Sequence, residues 1–299
     1  MMARAEVIPK LAGWHGQAAL HPFYVCDVFT SAPLQGNQLG VFVDGQAFEP
    51  GEMQRLAREL NFAETVFLFP PCGEGHVRMR IFTPRAELPF AGHPVLGTAF
   101  VVGTALGAER VLLETGAGVV PVELERDAGQ IVFGWMRQPV PRWAPFERER
   151  EVLAALGVGS SLLPVEQYVN GPAHVYVELP SEAAVAALRP DMGAIADLEV
   201  PVNCYAGAGL RWKTRMFYPA AGVPEDPATG SAAGPLAVHL ARHGRIGYRE
   251  QIEIRQGDEL GRPSLLYARA SGAGDRIDTV DVGGAAVLVA EGQYRITLD

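Results

Sequence analysis

The sequence predicts an α+β fold made of two similar lobes. Predicted strands outnumber predicted helices, and each half of the 299-residue chain contains one apolar helix rich in small residues. The segment that opens the first of these helices recurs, with related residues in the same order, at the start of the second. The length suits roughly two domains, and 48% hydrophobic residues suffice for a buried core.

In the first half, an amphipathic helix precedes the apolar helix that begins at Gly92. The amphipathic helix is predicted over residues 49–61, because Met53, Leu56 and Leu60 recur on one face. Alternating or β-branched residues between turn signals predict strands. These strands are residues 24–30, 65–69, 76–83, 111–115, 119–125 and 130–136.

A Pro-rich segment, residues 138–145, is the predicted linker to the second half. Beyond it, a helix over residues 149–156 is ended by Gly157, Ser181 is the predicted N-cap of a short helix, and the second apolar helix begins at Gly230. The strands predicted in this half are residues 174–179, 214–218, 251–255, 264–269, 279–282, 286–289 and 294–298.

These elements divide the chain into three parts. The N-terminal lobe is predicted to comprise residues 22–138, completed by a C-terminal strand at about residues 288–299. The C-terminal lobe is predicted to comprise residues 139–287. Residues 1–21 lack the continuous apolar core of a signal peptide, so we expect an extension without a targeting role.

Charge and composition exclude several classes of function. A net charge of −9 and no basic run argue against nucleic-acid binding, because phosphate contacts need clustered Lys and Arg. The apolar stretches are too short and too Gly-rich to span a membrane. Three widely spaced cysteines indicate no disulfide scaffold and a cytoplasmic protein.

The repeat aligns RIFTPRAELPFAGHP, residues 80–94, with RMFYPAAGVPEDPATGSA, residues 215–232. Both copies begin Arg-apolar-Phe-X-Pro, and the loop that follows is three residues longer in the second copy. The alignment pairs Glu87 with Glu225, Pro89 with Pro227, Gly92 with Gly230 and His93 with Ser231. Duplicated lobes that pack about a pseudo-two-fold axis would bring both Gly-led helix N-termini to one cleft. Free N–H groups and partial positive charge there favour a carboxylate ligand.

Four motifs, in this order, resemble those of the PhzF family of phenazine-biosynthesis isomerases. They are NFAETVFLF, RIFTPRAELPFAGHPVLGTA, RMFYPAAGVPEDPATGSAAG and QGDELGRPS, and the resemblance runs from about Tyr24 to the C-terminus. The resemblance implies the diaminopimelate-epimerase-like fold, in which each lobe is a β-barrel-like sheet around a central helix and the active site lies between the lobes. It also implies a homodimer that uses no cofactor.

Matched motif by motif, the resemblance implies catalytic and substrate-binding residues. The catalytic groups would be Glu64, His93 and Asp226, and the substrate carboxylate would bind Gly92, Gly230 and Ser231. Without the resemblance, other interpretations stay open: Glu64 as a surface residue after a helix, and Asp226 and Ser231 as helix caps. Family members often have Ser before this glutamate, where Ala63 stands here, and this removes a hydroxyl that could orient the carboxyl.

The implied reaction is the acid/base isomerisation of trans-2,3-dihydro-3-hydroxyanthranilate in the biosynthesis of phenazine antibiotics. One alternative is an isomerase or epimerase of another small amino-acid-like carboxylate in the same fold, and a second is a non-catalytic binding module. A racemase with two facing thiols is not expected, since His93 and Ser231 occupy the two helix starts. His239 and His243 are spaced like zinc ligands, but no third ligand is evident, so a solvated helix face and no metal site are expected.

Overall fold

The computed structural model describes residues 19–296, which form two halves of equivalent topology. The strands of the first half are β1 (Ala19–Val28), β2 (Asn37–Phe42), β3 (Glu64–Phe69), β4 (Val77–Phe82), β5 (Glu87–Leu88), β6 (Arg110–Thr115), β7 (Gly118–Asp127) and β8 (Gln130–Gln138). The remaining strands are β9 (Arg142–Pro145), β10 (Glu166–Val169), β11 (Ala173–Glu178), β12 (Val202–Ala208), β13 (Arg211–Tyr218), β14 (Val223–Asp226), β15 (Gln251–Gln256), β16 (Ser264–Ala273), β17 (Arg276–Gly284) and β18 (Ala286–Ile296). The helices are α1 (Pro50–Leu60), α2 (Gly92–Leu106), α3 (Glu149–Leu156), α4 (Glu182–Ala187), α5 (Met192–Ala196) and α6 (Gly230–Arg242).

Strand pairing in the two halves follows the same pattern. In the first half β2 pairs in parallel with β3 and β4 with β6, and the other neighbours along β1-β2-β3-β4-β6-β7-β8 are antiparallel. In the second half β11 pairs in parallel with β12 and β13 with β15, within the order β10-β11-β12-β13-β15-β16-β17. Parallel neighbours require a crossover, and the apolar helices α2 and α6 supply the equivalent crossovers β4-α2-β6 and β13-α6-β15. This equivalence confirms the predicted α+β fold of two similar units.

The repeated Arg and Glu make the same contact in each copy. Arg80 donates two hydrogen bonds, of 2.7 Å each, to the carboxylate of Glu87 across the β4–β5 hairpin. Arg215 donates two, of 2.7 and 2.8 Å, to Glu225 across the β13–β14 hairpin. Bidentate Arg–carboxylate pairs fix geometry as well as charge. Each pair therefore holds the short strand that leads to the start of a central helix.

Helices α2 and α6 lie in the shared core, with almost every residue of their first three turns buried. They pack against the strands of their own halves, and their first residues touch each other. A Cβ built on Gly92 would lie only 2.4 Å from the carbonyl carbon of Gly230 and from the amide nitrogen of Ser231. Glycine at position 92 is therefore what lets the two helix N-termini meet at backbone distance.

Several elements differ from the sequence-based expectations. The predicted linker is largely ordered strand: Gln138 ends β8, and β9 pairs with β10. The sequence does not predict strands β2, β5, β10, β12 and β14, and residues 286–296 form one strand, β18, rather than two. Strand β18 pairs along β1, which begins at Ala19, and residues 1–18 of the expected extension lie outside the described residues. Among residues 19–296, none of the helices is both long and apolar enough to cross a membrane.

Replacing Gly92 by Ala tests whether backbone contact between α2 and α6 holds the halves together. The added methyl group has no free space, so we expect the free energy of unfolding to fall by about 1–3 kcal/mol, as for other overpacked cores. The matched control is Gly51→Ala in α1, where nothing lies within 4 Å of the added Cβ. Thermal and urea unfolding of both variants provide the measurement. Equal stability of the two variants would contradict this packing.

Candidate functional site

All six residues singled out from the sequence line one cavity of about 290 Å³ between the two halves. They are Glu64, Gly92, His93, Asp226, Gly230 and Ser231. The cavity is of the size that holds a small ligand. Its other lining residues come from both halves and are mainly apolar, among them Leu88, Val200 and Met216.

Glu64 is the first residue of β3. Helix α1 ends at Asn61, which takes the left-handed conformation (φ 52°), and this turn directs the next strand alongside β2. The Glu64 side chain is only 14% exposed, so the alternative of a surface glutamate is wrong. Burial raises the pKa of its carboxyl well above the ordinary value, and the negative charge of Asp226 raises it further. A carboxylate whose pKa is raised is a stronger base than an exposed one, and a carboxyl group can both accept and return a proton.

His93, the second residue of α2, points its ring at Glu64. Its Nε2 lies 3.2 Å from Glu64 Oε2, and neither atom makes another hydrogen bond among residues 19–296. The side chain is 3% exposed, and burial lowers the pKa of the imidazole to about 3. A hydrogen bond with the Gln38 backbone acts in the opposite direction but has the smaller effect on this pKa. His93 is therefore neutral, and a neutral ring facing a carboxyl can either donate or accept a hydrogen.

Asp226 ends β14 and is buried on the same cavity. Its Oδ2 accepts a 2.6 Å hydrogen bond from the Thr229 hydroxyl, and its Oδ1 accepts a 2.7 Å bond from Asn37 Nδ2. Burial raises the pKa of Asp226 to about 6, although these two hydrogen bonds act in the opposite direction. The N-cap of α6 is Thr229, and no helix amide donates to Asp226, so the alternative of a helix cap is wrong.

Asn37, at the start of β2, is a site residue that the sequence reasoning missed. Its Nδ2 lies 2.7 Å from Asp226 Oδ1, 2.9 Å from the Ala228 carbonyl and 3.1 Å from His93 Nδ1. The two hydrogens of this amide are thus shared among three acceptors, which belong to both halves of the molecule. No local signal marked it, since its partner Asp226 is 189 residues away in the chain.

Arg262, which follows β15 in the chain, fixes the loop before Asn37. Its guanidinium donates to the carbonyl oxygens of Gly36 and Gln35 at 2.7 Å each and to the buried carboxylate of Asp27 at 2.6 Å. Three charge-assisted bonds from one planar group hold the loop in a single position. A second-half residue therefore determines where a first-half amide meets the cavity.

The start of α6 also lines the cavity. Gly230 and Ser231 are the first two residues of this helix, so their amides have no intrahelical acceptor and carry the positive end of the helix dipole. Ser231 is not the helix cap, which is Thr229; its Oγ instead lies 3.0 Å from Nε2 of His174. Two free amides and a hydroxyl in a buried cavity could hold an anionic group.

Polar side chains support the backbone behind these amides. Pro235 lies inside α6 and has no N–H, so the carbonyl of Ser231 lacks its usual helical donor. Asn170 supplies one at 3.0 Å, and Gln138 donates to the Gly230 carbonyl at 2.8 Å. The first turn of α6 is thereby held at the cavity despite the proline.

His239 and His243 do not form the solvated helix face that their spacing suggested. His239 is fully buried, and both rings contact Glu166 Oε2, at 3.1 and 3.0 Å. Glu166 is thus the third metal-type ligand that the sequence did not reveal. However, Arg242 donates to the same oxygen at 2.9 Å, so a permanent cation already neutralises this carboxylate. The cluster ties the end of α6 to β10.

None of the three cysteines lines the cavity. Cys26 and Cys204 are buried elsewhere, and burial raises the pKa of both thiols; Cys72 is exposed. Thiol acid/base chemistry is therefore not available at the two helix starts.

Comparison with known proteins shows the family and the fold of this chain. The family described as phenazine biosynthesis-like protein matches residues 26–292. A Pseudomonas aeruginosa protein named trans-2,3-dihydro-3-hydroxyanthranilate isomerase is 54% identical over 275 residues, which cover 92% of this chain and 99% of that protein. A Bacillus anthracis structure of the PhzF family superposes with a TM-score of 0.80 at 23% identity, over 94% of this chain and all of that one. An Agrobacterium vitis hydroxyproline epimerase shares the fold, with a TM-score of 0.65 at 13% identity, over 94% of this chain and 93% of that one.

The raised pKa of Glu64 predicts a pH-dependent effect of Glu64→Gln on stability. Folding raises this pKa, so the folded state binds the proton more tightly than the unfolded state does. The stabilising contribution is present below the ordinary pKa of 4.5 and is lost as the pH rises through the folded value. Relative to the unmodified protein, the glutamine variant should therefore gain stability between pH 4.5 and pH 8.

Urea unfolding at both pH values measures this difference, with the exposed Glu74→Gln as the matched control. If the difference between Glu64→Gln and the unmodified protein is the same at both pH values, the buried carboxyl is not perturbed as described.

Proposed function

The chain belongs to the phenazine biosynthesis-like family and is an isomerase, and from this premise we propose that it converts trans-2,3-dihydro-3-hydroxyanthranilate to 6-amino-5-oxocyclohex-2-ene-1-carboxylate. The observation that carries this proposal is a buried carboxyl, Glu64, that lines the same cavity as the free N-terminus of α6. This arrangement suits a small carboxylate that must lose a proton at one carbon and gain one at another.

Glu64 is the proposed base and acid. As the carboxylate, it removes the proton from the ring carbon that bears the hydroxyl. The electron pair of that C–H bond moves through the conjugated diene to the carbon that bears the carboxylate, where Glu64 returns a proton. The enol so formed tautomerises to the amino-ketone. Each step moves only protons and electron pairs within the ring, so the reaction needs no cofactor.

Glu64 alone can take the proton from the hydroxyl-bearing carbon and return it to the carboxylate-bearing carbon because these two carbons lie close together. The two carbons flank the amino-bearing carbon of a six-membered ring, so they are close together on one face. A carboxyl held above that face reaches both without leaving the cavity, and such positioning replaces a second catalytic group. Burial raises the pKa of Glu64, so its carboxylate is a stronger base than an exposed glutamate.

The α6 N-terminus is proposed to bind the substrate carboxylate through the amides of Gly230 and Ser231. As the diene accepts the electron pair, negative charge spreads onto this carboxylate. Fixed N–H dipoles stabilise that charge without reorganisation. Gly92 leaves space for this contact, since any larger residue would collide with α6.

His93 and Asp226 are proposed to orient Glu64 and the substrate's polar groups. His93 is neutral and faces the Glu64 carboxyl; with Nδ1 accepting from Asn37, its single hydrogen is on Nε2 and is donated to the Glu64 carboxylate. Asp226, held by Asn37 and Thr229, is proposed to accept a hydrogen bond from the substrate's hydroxyl or amino group.

Two further proposals concern the protein's location in the cell and its oligomeric state. We propose that the protein acts in the cytoplasm, in agreement with three unpaired cysteines. We also propose a homodimer; sedimentation equilibrium should then give twice the chain mass of 32.1 kDa, and a single-chain mass would reject it.

Glu64→Gln should abolish turnover of trans-2,3-dihydro-3-hydroxyanthranilate, with a loss on the order of 10²–10⁴ in rate or more. The loss of diene absorbance measures conversion, and proton NMR in D₂O locates the incorporated hydrogen. Glu74→Gln is the matched control and should retain full activity. Near wild-type turnover by Glu64→Gln would refute the role of Glu64. Exchange with another small amino-acid-like carboxylate, but none with this compound, would favour a different substrate in the same site.

A further inference from the structure

His174 in β11 faces the cavity from behind Ser231 and has no role in the proton transfers described above. Its side chain is 1% exposed, and its Nε2 lies 3.0 Å from Ser231 Oγ. On the other side of the ring, Nδ1 lies 3.3 Å from Nδ2 of Asn203, which stands on the neighbouring strand β12. Asn203 is also buried. The side chains of Asn203, His174 and Ser231 thus form a buried row of hydrogen-bonded groups that ends at the cavity.

The hydrogens along this row can be assigned by elimination. Nδ2 of Asn203 also donates to the Val175 carbonyl at 3.2 Å, and a carbonyl only accepts, so this end of the amide is the NH₂ group. The Asn203 amide must then donate to His174 Nδ1. Burial lowers the pKa of His174 to about 3, so the ring is neutral and its single hydrogen is on Nε2.

His174 therefore donates to Ser231, and this leaves the hydroxyl hydrogen of Ser231 without a partner in the row. A serine near the start of a helix can otherwise turn its hydroxyl to a nearby backbone carbonyl. Among residues 19–296, Ser231 Oγ makes no hydrogen bond to a backbone carbonyl, and with His174 donating to one lone pair we infer that the hydroxyl hydrogen is directed to the cavity that Ser231 lines.

We propose that His174, oriented by Asn203, is a positioning residue that fixes the Ser231 hydroxyl as a hydrogen-bond donor and so makes this end of the cavity select a carboxylate. The inference deepens the proposed function, on which its choice of ligand rests. A carboxylate presents only acceptors to the hydroxyl and the two amides, whereas a carboxamide of the same shape also presents an NH₂ group, which the two amides cannot accept and which does not match a hydroxyl that points its hydrogen at the ligand.

The test measures binding without turnover. The probe is 3-hydroxyanthranilate, an aromatic acid with the same substituents and no proton to lose at the hydroxyl-bearing carbon, and its carboxamide is the comparison ligand. Calorimetry gives Kd for both ligands, and assays with the dihydro substrate give KM and kcat. The variants are His174→Leu, which removes the donor, and His174→Gln, whose amide can place an N–H near the position of Nε2.

For His174→Leu we expect Kd for the acid and KM to rise about tenfold, the loss of one hydrogen bond to a charged group. The change in kcat should be smaller, and the preference for acid over amide should shrink. His174→Gln should restore most of the affinity, which a merely structural role of the ring would not predict. Unchanged affinity of a folded His174→Leu would overturn the inference, as would failure of the unmodified protein to bind the acid.

A second measurement does not depend on these variants. In the ¹⁵N NMR spectrum of the unmodified protein, the His174 ring should show its hydrogen on Nε2. In Asn203→Asp the new carboxylate accepts from Nδ1, so the hydrogen should move to Nδ1 and the affinity for the acid should fall. A hydrogen on Nδ1 in the unmodified protein would refute the proposal. If 3-hydroxyanthranilate binds in a way that depends on His174 but the dihydro substrate is not turned over, the inference stands and the proposed reaction is rejected.

Discussion

The contact on which the rest of the molecule depends is the meeting of two helix N-termini at backbone distance. Gly92 and Gly230 touch without intervening side chains, and both helices begin there with unpaired amides. Two long buried helices from different halves therefore present their positive ends to one small space. Strand pairing, the repeated Arg–Glu bridges and the buried core all act to hold those two ends in place.

Among the ionisable side chains that line this space, Glu64, His93 and Asp226 are the three assigned to the reaction, and all three are largely shielded from solvent. Burial disfavours charge on each of them, raising the pKa of the two acids and lowering that of the imidazole. Without the positive helix N-termini, the two buried acids would repel the carboxylate of a substrate that enters this cavity. The positive ends of the two helices offset this repulsion, which is why they are the proposed binding site for the substrate carboxylate. Burial therefore explains both the electrostatic cost of the site and the raised pKa of Glu64.

The sequence predicted those parts of the fold and site that local patterns encode. The repeat located both helix starts, and the motifs around Glu64, His93, Asp226 and Ser231 were contiguous enough to be recognised. Two supporting amides were not predictable: Asn37, which bonds Asp226, and Asn203, which bonds His174. They stand on strands β2 and β12, which the sequence did not reveal and which long-range strand pairing brings to the site. His239 was misjudged for a related reason: a spacing of four places two rings on one face, but does not show that Glu166 and Tyr168 cover that face.

The most direct test of this account is a crystal structure of the protein with 3-hydroxyanthranilate bound. The account predicts the ligand's carboxylate at about 2.7–3.1 Å from the amide of Ser231, a normal hydrogen-bond distance. It also predicts the Glu64 carboxyl above one face of the ring, within reach of both the carboxylate-bearing and the hydroxyl-bearing carbon. A ring bound outside this cavity, or one whose carboxylate points to Glu64 and away from the start of α6, would contradict it.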